Sequence, residues 1–192
     1  MADIHINQAT TLLETLTRKL YKMNPAELKK KPGATIQSQI NEIFQCPPQT
    51  GLLVLDQKSS IDAILLGFEP EYTGDRVFAM MYGLYTMILK AYSGRCELYL
   101  VDFLDEQILY NSARNIEIFV WRLKNRVLPD GSLFLETNQM EGPVKNLSFE
   151  RLFGKLISLQ DTMALIVSSQ SGRLITKAVH TAATMAFIPV GI

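Results

Sequence analysis

The chain is poor in the residues that perform chemistry. Its 192 residues include two histidines, His5 and His180, and two cysteines, Cys46 and Cys96. A zinc site on so few nitrogen and sulfur donors would need an unusual ligand set, and a histidine-dependent triad would rest on His180 alone. Neither cysteine belongs to a Cys-x-x-Cys pair, so no redox or metal signature exists. The reading for Cys46 and Cys96 is two free thiols acting as small hydrophobes. One disulfide is the alternative if the compartment is oxidising. No phosphate-loop, nucleophile-elbow or EF-hand spacing occurs. We therefore expect no metal, no cofactor and no catalytic residue, and the enzyme question leans towards no.

Net charge is missing as well. Nineteen basic residues balance nineteen acidic ones, which argues against binding dominated by a nucleic-acid backbone. The basic cluster Lys29–Lys31 has few aromatics interleaved with it. No apolar stretch reaches the roughly 18–20 residues of a spanning helix. Val77–Leu89 falls short and is bracketed by Asp75-Arg76 and Lys90. No basic segment followed by an apolar core opens the sequence. The location expected is cytoplasmic if the chain shown is complete, and exported if a targeting segment preceded it. No linker rich in proline, glycine and serine divides the chain. One domain over 1–192 is the simplest organisation, with an N-terminal helical arm at 1–48 as its variant.

What is present is core material: 47% of residues are hydrophobic and 20% charged, outside the range of disordered chains. Val77–Leu89, VFAMMYGLYTMIL, would be apolar on almost every face of a helix, where a surface helix shows one stripe. It predicts a central helix wrapped by others. The fold class expected is predominantly α-helical, a single globular domain of about six or seven helices around this buried one.

The flanking signals are consistent with that. Leu12, Leu13, Leu16 and Leu20 form a stripe after Asn7 or Thr10, either of which suits an N-cap. Asn24-Pro25-Ala26-Glu27 reads as a capping box on a short second helix. Thr35–Gln45, Ile61–Phe68, a long segment from Asp105 to about Arg126, and Ser148 to about Ser168 read as further helices. Gly51–Leu55 suits a strand or the approach to a helix. Cys96–Phe103 and Ser132–Glu136 suit short strands, so at most a two-stranded ribbon is expected. A last helix is expected from about Gly172 to Phe187. Its small face of Ala178, Ala182, Ala183 and Ala186 would slot against the Gly83 region of the central helix.

Few side chains stand out as binding candidates. Arg114, Glu117 and Trp121 lie within i,i+3 and i,i+4 reach on the long helix. They make either a cleft in which Arg114 holds an anion beside an aromatic wall, or an ion network with Asp75, Arg76, Asp161 or Arg151. Glu117, between Ile116 and Ile118, is expected to be partly buried and paired, so that its removal costs roughly 2–4 kcal/mol. Tyr82 and Tyr85 on the central helix are candidates for a hydrophobic ligand cavity. Phe187 opens an apolar C-terminal stretch suited to a partner.

Three functions from different classes follow. The first is a non-catalytic structural or protein-interaction domain, binding a protein partner or a second copy as a homodimer. The second is a helical protein that binds a hydrophobic small molecule or lipid. The third, and weakest, is a hydrolase drawing on Asp102, Asp105 or Glu106 with Arg114.

Overall fold

The apolar run at Val77–Leu89 forms the middle of a helix, Arg76–Ala91, in which every residue but Lys90 is buried. The computed structural model describes residues 2–96, 104–137, 147–176 and 186–190. Eight helices occupy them: α1 Ala2–Met23, α2 Pro25–Lys29, α3 Ile36–Ile43, α4 Gln49–Val54, α5 Ser60–Gly67, α6 Arg76–Ala91, α7 Glu106–Asn125 and α8 Ser148–Ser171. They form one all-helical domain in which α6 touches α1, α3, α5 and α7, while α8 packs on α7 and α1. The α1 stripe of Leu13, Leu16 and Leu20 is fully buried in the same core.

Each end of α6 is fixed by local chemistry. Asp75 accepts a hydrogen bond from the Phe78 backbone N–H at 2.9 Å, satisfying one of the amides a helix start leaves unpaired. At the other end Ser93 and Gly94 both adopt positive φ, and Gly94 N–H returns to the Leu89 carbonyl at 2.8 Å. The Pro129-Asp130-Gly131 turn also forms, with Asp130 accepting from Ser132 N–H at 2.9 Å.

Several expectations are corrected. α1 begins at Ala2, well before Asn7 or Thr10, and the Thr10 hydroxyl, instead of capping, bonds back to the Ile6 carbonyl within the helix. Asn24 makes no capping bond. Its amide instead clasps a distant chain segment, donating to the Glu136 carbonyl at 2.9 Å and accepting from Glu136 N–H at 2.8 Å. Glu27 turns from the expected box to Lys30 and to the Arg76 N–H, at 2.8 and 2.6 Å. Residues 49–54 are helical. Ser132–Glu136 forms no strand, only an isolated bridge between Val127 and Leu133. The partner expected for it at 97–103 lies outside the described residues.

The C-terminal region differs most. Gly172, at φ 70°, ends α8, and residues 173–176 and 186–190 are not helical. Most of the helix expected from Gly172 to Phe187, including Ala178, Ala182 and Ala183, lies outside the described residues. The neighbour of Gly83 is α5: a Cβ added at Gly83 would lie 2.7 Å from the Ile64 nitrogen and from the Ser60 carbonyl oxygen.

Cys46 and Cys96 are joined in a disulfide, not free. Cys46 follows α3 and Cys96 follows α6. The packing of these two helices brings their trailing ends together, with Cα atoms 5.8 Å apart. Sequence separation gives no hint of this proximity.

Candidate functional site: the Arg114 groove between α7 and α8

Arg114 lies in the middle of α7 and reaches across to α8. Its Nη2 donates to Asp161 Oδ2 at 2.6 Å and pairs with Glu117 Oε1, one turn on, at 3.2 Å. The guanidinium also stands 4.9 Å from the centre of the Tyr110 ring, a cation–π distance. With its charge held from three sides, the Arg114 side chain is only 20% exposed. Its Nε is buried with no hydrogen-bond partner among the described residues.

A groove of about 290 Å³ opens here, lined by Tyr110, Arg114, Asp161, Leu165 and Ile175. Leu165 is 61% exposed, and Leu174, beside Ile175, is 91% exposed. The walls are thus apolar, and the base carries the Arg114 guanidinium against Asp161, with Glu117, not itself a lining residue, pairing with the same guanidinium. Burial pushes the Glu117 carboxyl above its ordinary range, Arg114 opposes that shift, and Asp161 adds to it. Of the two readings of Arg114, the ion network is the one formed, with Asp161. Asp75 and Arg76 belong to other contacts. An anion cleft does not suit this arrangement, because the arginine is already matched by surplus negative charge.

The remaining predicted residues do not converge on this groove. Tyr82 is buried in the core, where it stacks on Phe78 at 6.0 Å and donates to the Pro48 carbonyl at 2.7 Å. Tyr85 packs edge-on to Phe44 at 5.2 Å. The three cavities described are lined by other residues than Tyr82, Tyr85 and Trp121. The half-buried Phe187 lies under the Arg122 guanidinium at 4.5 Å. The chain after it is fastened to α7, since Asn115 donates to the Ile188 carbonyl and accepts from its N–H, both at 2.7 Å. Val190 is buried. Residues 187–190 are therefore held against α7, with Phe187 and Ile188 half-buried and Pro189 exposed.

Of the carboxylate cluster, Asp105 and Glu106 stay together but meet Arg173 in place of Arg114. Asp105 caps α7, accepting from the N–H groups of Gln107 and Ile108, and Glu106 pairs with Arg173 at 3.3 Å. Arg114 lies two helical turns further along, so these carboxylates do not share it. Asp102 lies outside the described residues. Among the described residues no group of three or more potential metal ligands comes together, and no helix is long and apolar enough to cross a membrane.

Sequence reasoning passed over Tyr110, Leu165 and Ile175. The available signal was spacing: Tyr110 and Arg114 share one face at i,i+4, as do Asp161 and Leu165. What the spacing lacks is the rotation that turns these two faces towards each other. No family model matches the chain, and no curated protein or solved structure does either, so this geometry carries the functional argument by itself.

Proposed function

We propose that the chain is a non-catalytic protein-interaction domain whose contact face is the Arg114 groove. The occupant it fits is a partner protein presenting an aliphatic side chain next to a lysine or arginine. The observation that carries this reading is the pair of exposed leucines, Leu165 and Leu174, beside a groove whose base is held in place by ion pairs. An apolar lip around an ordered polar centre resembles the anatomy of an interface, where a small apolar core is ringed by polar groups. The surplus negative charge of Glu117 and Asp161 over Arg114 selects a basic neighbour for the inserted side chain.

Selection of displayed peptides on the whole chain tests this. Enriched sequences should pair Leu, Ile, Val or Met with Lys or Arg. Their binding should be lost in Leu165→Asp and kept in Leu53→Asp, a change at another exposed leucine. Absence of enrichment, or binding indifferent to Leu165→Asp, overturns the proposal. Light scattering across a concentration series adds a second arm. A dimer that Leu165→Asp dissolves would make a second copy of the chain the occupant, in place of the basic partner.

A further inference from the structure

A second cavity, of about 440 Å³, lies at the N-terminus of α6 and shares no lining residue with the Arg114 groove. Its size falls within the roughly 300–1,000 Å³ of small-molecule sites. Pro32, Val54, Tyr72 and Phe78 give it apolar walls, and Gln39 and Asp75 supply polar atoms.

The hydrogen-bond inventory of those two residues is uneven. Asp75 Oδ1 accepts from Phe78 N–H at 2.9 Å. Asp75 Oδ2 accepts from the Tyr21 hydroxyl at 2.7 Å and from Gln39 Nε2 at 3.2 Å. Gln39 Nε2 also donates to the Tyr21 oxygen at 3.3 Å. Three bonds occupy most of the roughly four acceptor positions of a carboxylate and leave one open. Gln39 is 1% exposed, and its Oε1 has no hydrogen-bond partner among the described residues. The only proton of Tyr21 is committed to Asp75. A buried amide oxygen beside a partly open carboxylate calls for a donor from outside the chain.

The nearby cations do not fill this role. Lys30 is bound by Glu27 and the Gly74 carbonyl, at 2.8 and 3.0 Å, and Lys31 is paired with Glu42. Arg76 directs its guanidinium to the carbonyls of Gly67, Glu69 and Pro70. None of the three hydrogen-bonds to Asp75. The lysines pair with the glutamates Glu27 and Glu42 at the rim, and Gln39 Oε1 is the buried side-chain atom of the lining left without a partner among the described residues.

We propose that this cavity binds a small organic ammonium ion, whose N–H groups are taken by Gln39 Oε1 and the Asp75 carboxylate and whose apolar body lies against Phe78, Tyr72 and Val54. An ammonium supplies several donors and one positive charge from a single atom, which suits two neighbouring acceptors of which one is anionic. The site is independent of the partner face on α7 and α8.

Titration of the full chain with benzylammonium, followed by backbone and side-chain amide shifts, tests the proposal. Saturable shifts are expected at Gly74, Asp75 and the Gln39 side-chain amide, in roughly the millimolar range for so small a ligand. Gln39→Leu removes the open acceptor and should weaken binding by about tenfold or more, the scale of one charge-assisted hydrogen bond. Val54→Trp narrows the cavity without touching the polar atoms and should abolish binding while the fold is kept, so it decides the matter if Gln39→Leu does not fold. Benzyl alcohol should bind much more weakly. No saturation, equal binding of benzyl alcohol, or indifference to Val54→Trp overturns the proposal. So does inorganic phosphate shifting the same amides where benzylammonium does not, because the rim lysines would then govern the site.

Discussion

Gly83 and Ile64 meet backbone to backbone: a Cβ placed on Gly83 would stand 2.7 Å from the Ile64 nitrogen. The same atom would meet the Ser60 carbonyl oxygen at the same distance, so relief requires moving α5, not rotating a side chain. Thr86, one turn along α6, holds the helices at this spacing by accepting from Ser60 N–H at 2.7 Å.

Gly83→Ala is expected to destabilise the protein by about 1–3 kcal/mol, the usual cost of overpacking. This outweighs the ~1 kcal/mol by which alanine favours an exposed helix. Urea denaturation measures it, and a neutral or stabilised variant would show that α5 yields freely.

Asp161→Ala should cost more than Glu117→Ala. Asp161 holds the partly buried Arg114 guanidinium at 2.6 Å and Glu117 stands at 3.2 Å, their side chains 36% and 40% exposed, so the shorter bond makes the difference. We expect about 1–2 kcal/mol for Asp161→Ala, because Arg114 then loses its shorter partner. Glu117→Ala should cost less than about 1 kcal/mol, as for solvent-screened pairs. Glu117 is partly buried and paired, as its apolar neighbours in sequence suggested, and a loss of roughly 2–4 kcal/mol on its removal would overturn this ranking. Chemical denaturation of both variants in one buffer ranks them.

Reduction of the Cys46–Cys96 bond should lower stability by about 2–4 kcal/mol, since it releases a loop spanning 50 residues in the unfolded chain. The Cys46→Ser, Cys96→Ser double variant should show the same loss with or without reductant. Parent protein whose denaturation midpoint ignores reductant would contradict the bond.

Asp75 sets a pH dependence. Burial raises its carboxyl above the ordinary range, the bonds from Phe78, Tyr21 and Gln39 partly oppose this, and Glu27 adds to it. The other charged groups around it, Lys30 and Arg76, are engaged elsewhere. A carboxyl with a raised folded pKa contributes stability that is fully present below the unfolded value and is lost as pH rises through the folded one. Stability should therefore decline from about pH 4 towards neutrality through this group. In Asp75→Asn, which retains a capping side chain, that decline should be smaller. Urea midpoints over this range check the sign, and equal slopes in the two proteins would refute it.

Much of the architecture was legible because it depends on local pattern. The apolar run at Val77–Leu89 left no face for water, so a helix there had to be central. Asp105 as a cap, the Ser93-Gly94 stop and the turn at Pro129-Asp130-Gly131 are set by short-range backbone chemistry, and all three form. Arg114 drew notice through its neighbours on one helix, and its partner on α8 was among those foreseen.

The misreadings share one cause, which is competition from distant parts of the chain. Asn24 has the side chain of a cap but spends it on Glu136. Phe187–Val190 looks like an open apolar tail until Asn115 fastens it to α7. Hydrophobic period, charge balance and turn residues act over a few positions, so the sequence by itself determined a predominantly helical fold, its central helix and most of its helix limits. Which helix faces meet, that Cys46 reaches Cys96, and that Gln39 and Asp75 line one cavity were decided by tertiary packing alone. These contacts join residues tens of positions apart, and no local propensity encodes the rotation of one packed helix against another.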